Sequence, residues 1–81
     1  LWWVDYKLRS NPDDESLWRD RGKVAFELGR NEDAISALAR AKEERIKELR
    51  SNGLSFAEIA DEIKLYNAEI ASLQKFLDSE S

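Results

Sequence analysis

The chain has 81 residues, 17 acidic and 13 basic, for a net charge of −4 and a pI near 4.8. Nucleic acid and anionic lipid both call for a positive footprint, so this balance argues against either partner unless a local basic face exists. Cysteine and histidine are absent, which removes disulfides and the usual zinc ligand sets, and no cofactor is expected.

Charged residues make up 37% and apolar residues 42%, with three glycines and one proline, a composition that suits helices. The length allows one small domain over residues 1–81. A core of this size typically supplies only ~3–5 kcal/mol, so stability has to come from helix packing or from neighbouring protein. No apolar run approaches the ~20 residues that span a bilayer. The opening LWWVDYK is too short for a signal core and lacks a preceding basic segment. Because the chain opens on Leu1 rather than Met, an excerpt of something longer is expected, in an intracellular rather than a secreted setting.

Residues 1–10 predict a short leading helix with Leu1, Val4 and Leu8 on one face, widened by Trp2, Trp3 and Tyr6. A helix this short is marginal in water, so that face must dock on something. Asn11-Pro12-Asp13-Asp14 breaks the helix and starts another, because proline suits a first turn and acids favour the positive helix end. A helix is expected over residues 13–28, ended by Gly29-Arg30, with Asn31 as cap of the next helix from Glu32. That second helix carries Ala34, Ile35, Ala37, Leu38, Ala41, Ile46 and Leu49, and Ser51-Asn52-Gly53 stops it.

Ser55 and Glu58 have capping-box spacing. Beyond them Phe56, Ile59, Ile63, Tyr66, Ile70, Leu73 and Leu77 recur in steps of 3 and 4. This heptad seam predicts one long amphipathic helix over residues 55–78, of coiled-coil character and on the order of 35 Å long, before a frayed polar end at 78–81.

Within residues 11–41, Trp18, Gly22, Gly29, Ala34 and Ala41 stand at offsets of 4, 11, 16 and 23 from the tryptophan. With Asn11-Pro12 before them, these positions resemble the tetratricopeptide repeat, a 34-residue helix-turn-helix unit. The resemblance implies an antiparallel helical hairpin at 13–50 in which Trp18 and the small residues pack between the paired helices. It also implies that residues 1–12 end a preceding repeat. Arg21 stands where the family usually has leucine, Ala25 where tyrosine is common, and a full period from Pro12 lands on Ile46 rather than proline. The preferred reading of 55–78 is therefore a capping helix; a degenerate second repeat, with Asn67 for the turn glycine and Ser72 in place of alanine, is the other.

Few residues suggest chemistry. No serine sits on a strand-to-helix elbow or near a phosphate-cradling glycine loop. The carboxylate pairs Asp13-Asp14 and Glu32-Asp33 both fall at helix starts, where acids stabilise the dipole. By the resemblance, Arg19 and Lys23, with Phe26 beside them, line a concave groove and hold a carboxylate of a partner peptide. The plainer reading is solvated charge paired with Glu15, Asp20 or Glu27. Arg40, Lys42, Arg45, Lys47 and Arg50 are interrupted by Glu43, Glu44 and Glu48, as on a solvated helix.

Residues 53–76 also admit a DNA-binding helix-turn-helix, in which Lys64 takes the place of the usual turn glycine and the second helix offers one basic residue, Lys75. Trp2, Trp3, Tyr6, Phe56, Tyr66, Ile70, Leu73 and Leu77 are the candidate interface residues, for self-association or for a neighbour in a large assembly. The expectation is an all-α, non-enzymatic module that binds a protein or peptide as adaptor, chaperone or scaffold, with nucleic acid and membrane disfavoured.

Overall fold

The computed structural model describes residues 2–80, and every regular element among them is helical: α1 (Trp2–Ser10), α2 (Glu15–Glu27), α3 (Asn31–Ser51), α4 (Phe56–Glu62) and α5 (Lys64–Glu80). Leu1, expected on the apolar face of the first helix, and Ser81 lie outside the described residues. Residues 78–80, expected to fray, continue α5.

Local signals place most of the boundaries. The Asp14 carboxylate accepts hydrogen bonds from the backbone N–H of Ser16 at 3.0 Å and of Leu17 at 3.3 Å, satisfying donors that a first helical turn leaves orphaned. The helix therefore starts at Glu15 rather than at residue 13, and Asp13 stays in the turn with Pro12. At the other end Gly29 takes φ 77°, and the N–H groups of Gly29 and Arg30 reach back to the carbonyls of Phe26 at 3.0 Å and Ala25 at 2.8 Å. This is the paired closure that a glycine in the left-handed region permits. Gly53, with φ 82°, closes α3 in the same way through Arg50 and Leu49. Asn31 does not cap α3 as expected. It is the first residue of that helix and is buried, and Arg30 in the cap position makes no side-chain hydrogen bond. The Ser55–Glu58 capping box forms as its spacing implies.

α2 and α3 run antiparallel and make the main helix–helix contact of the chain, lined by small residues. Ala25, Ala34, Ala37 and Ala41 are buried. At Gly22 a Cβ atom would come within 3.2 Å of Leu38 Cγ and 3.4 Å of the Ala34 carbonyl oxygen. α1 lies along α2 on the side away from α5, burying Val4 and Leu8, and the Arg21 guanidinium reaches Asp5 at 2.8 Å. Arg21, in the position where a leucine was the family expectation, thus ties α2 to α1.

The single helix expected over residues 55–78 is two helices. Ile63 has φ −97° and ψ 7°, and the chain changes direction there without losing its hydrogen-bond ladder: Ile63 donates to Ile59 and accepts from Asn67, both at 3.1 Å. The apolar seam on either side of this joint packs on two different parts of the chain. Ile59 and Ile63 pack with Leu49, Ile46 and Leu54 at the end of α3. Tyr66, Ile70 and Leu73 pack with Leu38, Ala41 and Trp18. Phe56, the first position of the seam, is 80% exposed and lies beneath the Arg50 guanidinium, 5.7 Å from the ring centroid.

α1 contacts α2, α2 contacts α3 and α3 contacts α5, and the chain extends 39 × 32 × 12 Å along its principal axes. The exposed surface is 5643 Å², against about 5,000 Å² for a compact monomer of this mass. The fold is an open helical layer with a thin core.

Trp18 is the largest side chain at the junction of α2, α3 and α5, and its indole N–H donates to the Pro12 carbonyl at 2.8 Å. Trp18→Ala is expected to lower unfolding free energy by about 3 kcal/mol, and Trp18→Phe, which loses mainly the hydrogen bond, by about 1 kcal/mol. Urea denaturation followed by far-UV circular dichroism measures both, and equal stability of all three proteins contradicts the packing role. Gly29→Ala meets no atom within 4 Å, so its expected loss of about 1 kcal/mol in the same assay comes from the backbone conformation alone.

Candidate functional site

A groove of about 620 Å³ lies between α2 and α5, with α3 behind it. Its floor is Leu38 of α3, Leu73 of α5 and the bare backbone of Gly22. Arg19, Lys23 and Phe26 form the α2 wall; Ala68, Glu69 and Ser72 form the α5 wall. One and two helical turns along the same face of α5 bring Leu65 before Ala68 and Phe76 after Ser72. These two are 76% and 48% exposed, and Phe26 is 48% exposed. The three residues that the resemblance placed on a groove are thus brought together on one, and the opposite wall is supplied by residues that sequence reasoning passed over. Positions 65, 68, 72 and 76 do have helical spacing, but the stronger heptad seam on the neighbouring face of the same segment obscures them.

The groove is apolar at its base and charged along its rim. Arg19 is 4.0 Å from Glu15, at the limit of an ion pair. Lys23 and Glu69 have no ion-pair partner within 4.0 Å among the described residues. Asp20 also reaches the α2 side. One end of the groove is closed where the Tyr66 hydroxyl donates to the Glu15 carboxylate, linking α5 to the start of α2.

The other candidate interface residues are dispersed. Tyr66 is buried and Ile70 is packed against its cluster with Leu38 and Ala41, so these two seam positions serve the chain's own core, whereas Leu73 packs on the same cluster and also lines the groove. Leu77 is half-buried near the α2–α3 turn. Phe56 stands apart at the α4 start. Trp2, Trp3 and Tyr6 do remain open, at 82%, 45% and 65% exposure, with Trp2 and Tyr6 stacked at 6.2 Å and Lys7 5.0 Å from the centre of the Trp3 ring. This aromatic face lies on the side of α1 that does not touch α2.

The charged stretch of α3 is spent on local pairs: Arg40 and Lys47 converge on the buried Glu44 at 3.3 and 3.1 Å, and Arg45 bridges Glu48 at 3.4 Å and Glu62 at 3.3 Å. In residues 53–76 the joint between helices is Ile63 alone, and α5 runs without interruption through Lys64 and Asn67. Lys64 is paired with Asp61 at 2.9 Å. Among the described residues no helix is long and apolar enough to cross a membrane, and no group of three or more acidic side chains is disposed to hold a metal ion.

Burial first, and then the hydrogen bond to Glu15, raise the Tyr66 pKa well above that of a free tyrosine. A phenol whose folded pKa exceeds its unfolded value contributes stability that is complete below the unfolded pKa and is lost at higher pH. Stability is therefore expected to fall as pH rises beyond about 10. Tyr66→Phe should reduce that alkaline loss; urea midpoints between pH 8 and pH 11 for both proteins check it, and parallel profiles contradict it.

Comparison with protein-family models, with curated proteins and with solved structures gives no match to this chain.

Proposed function

We propose that the chain is a non-enzymatic protein-interaction module, built on a tetratricopeptide-like hairpin of α2 and α3, that docks a segment of another protein in the α2–α5 groove. The observation that carries this reading is the groove itself: an apolar floor between two helical walls, with ionic groups on its rim rather than converging at a reacting centre. Its volume is in the range of pockets that hold ligands. Partly exposed Phe26 and Phe76 offer apolar anchoring, and Lys23, lacking an ion pair, offers a charge-assisted hydrogen bond to a carboxylate. Adaptor, chaperone and assembly-scaffold roles all use such a surface.

Two other readings have less support. DNA binding through residues 53–76 needs a basic recognition helix, whereas Glu58, Asp61, Glu62 and Glu69 crowd the same region. A structural-subunit role would use the aromatic face of α1, a patch on the order of 400 Å² if each aromatic presents 150–250 Å² when open.

Selection from a random peptide library displayed on phage, using the 81-residue chain as bait, tests the docking reading. Enriched peptides are expected to shift backbone amide NMR signals of α2 and α5, and to lose at least tenfold in affinity to Arg19→Glu/Lys23→Glu or Phe26→Ser chains. These side chains are partly or fully exposed, so circular dichroism should show intact helices. Peptides that bind all variants equally, or that shift only α1, overturn it.

A further inference from the structure

We infer that the occupant of the α2–α5 groove is an amphipathic α-helix of about two turns, acidic on one flank and basic on the other. This rests on the groove being a docking site and names what docks.

The walls and floor come from α2, α3 and α5, whose main-chain N–H and C=O groups are bonded within their own helices. An extended peptide gains affinity by adding main-chain hydrogen bonds to a sheet edge. This groove has no such edge. A strand lying in it would set its own N–H and C=O groups against Leu38, Leu73, Phe26 and Ala68, with Arg19, Lys23, Glu69 and Ser72 as the nearest polar partners. Leaving backbone polar groups unpaired on desolvation is costly. A helix arrives with those bonds already made, and presents only side chains.

Shape leads to the same occupant. On α5 the apolar or small positions 65, 68, 72 and 76 form one ridge, and α2 contributes a gap at Gly22 followed by Phe26. Ridges at this spacing receive the ridges of another helix. The α2 wall from Arg19 to Phe26 runs about 10 Å at ~1.5 Å per residue, the length of two turns.

Charge sets the rotation of the occupant about its axis. Arg19 and Lys23 outnumber Asp20 on the α2 wall, and Glu69 is the charged group of the α5 wall, so acids on the flank facing α2 and a base on the flank facing α5 complement both. The same rule excludes α1 of a second copy. Its open face carries Trp2, Trp3 and Tyr6 with Lys7 and Arg9, and its one acid, Asp5, is held by Arg21, so it would bring bases to Arg19 and Lys23.

The phage selection resolves this when the enriched sequences are read for period. The expected result is apolar residues at i, i+3 or i+4, and i+7, with acids along one edge. A central proline in a synthetic enriched peptide should weaken binding by at least tenfold, and a hydrocarbon staple across i, i+4 on its outer face should strengthen it several-fold. Selection against Glu69→Lys should remove the basic flank from the enriched set while the acidic flank persists, a readout that a loss of fold does not produce. Groove-dependent peptides that alternate with period two, or that tolerate the central proline, leave the docking site standing and overturn the helical occupant. Concentration-dependent dimerisation in sedimentation equilibrium that is abolished by Phe26→Ser assigns the groove to a second copy and overturns the inference too. Recovery of no groove-dependent peptide overturns the docking site itself.

Discussion

The close approach of α2 to α3 is the contact on which the other helices depend. It exists because Gly22 has no side chain to hold the helices apart over Leu38, and because Ala25, Ala34, Ala37 and Ala41 lie buried close to it. Methyl groups bury little area each, so the strength of this contact comes from closeness and from the number of atoms brought into van der Waals range. Trp18 supplies the bulk where the small residues stop and reaches α5 through Tyr66. Among the described residues Val4 is the one side chain larger than alanine that is fully buried, which makes the core thin and each of these contacts a large share of it.

From that hairpin the remaining helices take their places by separate means. α1 is held by Val4, Leu8 and the pairing of Asp5 with Arg21. α4 crosses the end of α3, and α5 returns along it, with the Tyr66 hydroxyl bonded to Glu15 across the gap to α2. Because α5 meets α3 and touches α2 only through side chains at one end, a groove opens along the rest. The site is thus a product of incomplete packing, and its charged rim keeps an apolar floor compatible with water.

Much of this was legible in the chain itself. The helical composition, the break at Asn11-Pro12, the glycine closures at Gly29 and Gly53 and the capping box at Ser55 are local or short-range signals. Each acts through the conformational preference of one residue or through hydrogen bonds within a turn. Arg19, Lys23 and Phe26 were expected on one groove from the family resemblance, not from their spacing. Asn31 was misread because its character as a capping residue is real, but the closure through Gly29 and Arg30 brings the helix start one residue earlier.

The amino-acid sequence by itself determined that the chain is helical, where most of its helices stop, and which residues permit α2 and α3 to approach. Tertiary structure decided the bend at Ile63, where no glycine or proline stands. On either side of that bend the seam packs on Leu49 near one end of α3 and on Leu38 farther along it, a division between two helices that heptad spacing does not announce. It likewise decided that Ala68, Glu69 and Ser72 form the second wall of the groove. Periodicity reports which residues share a face of a helix, but which face meets protein and which is left to solvent depends on the position of the neighbouring helices in space.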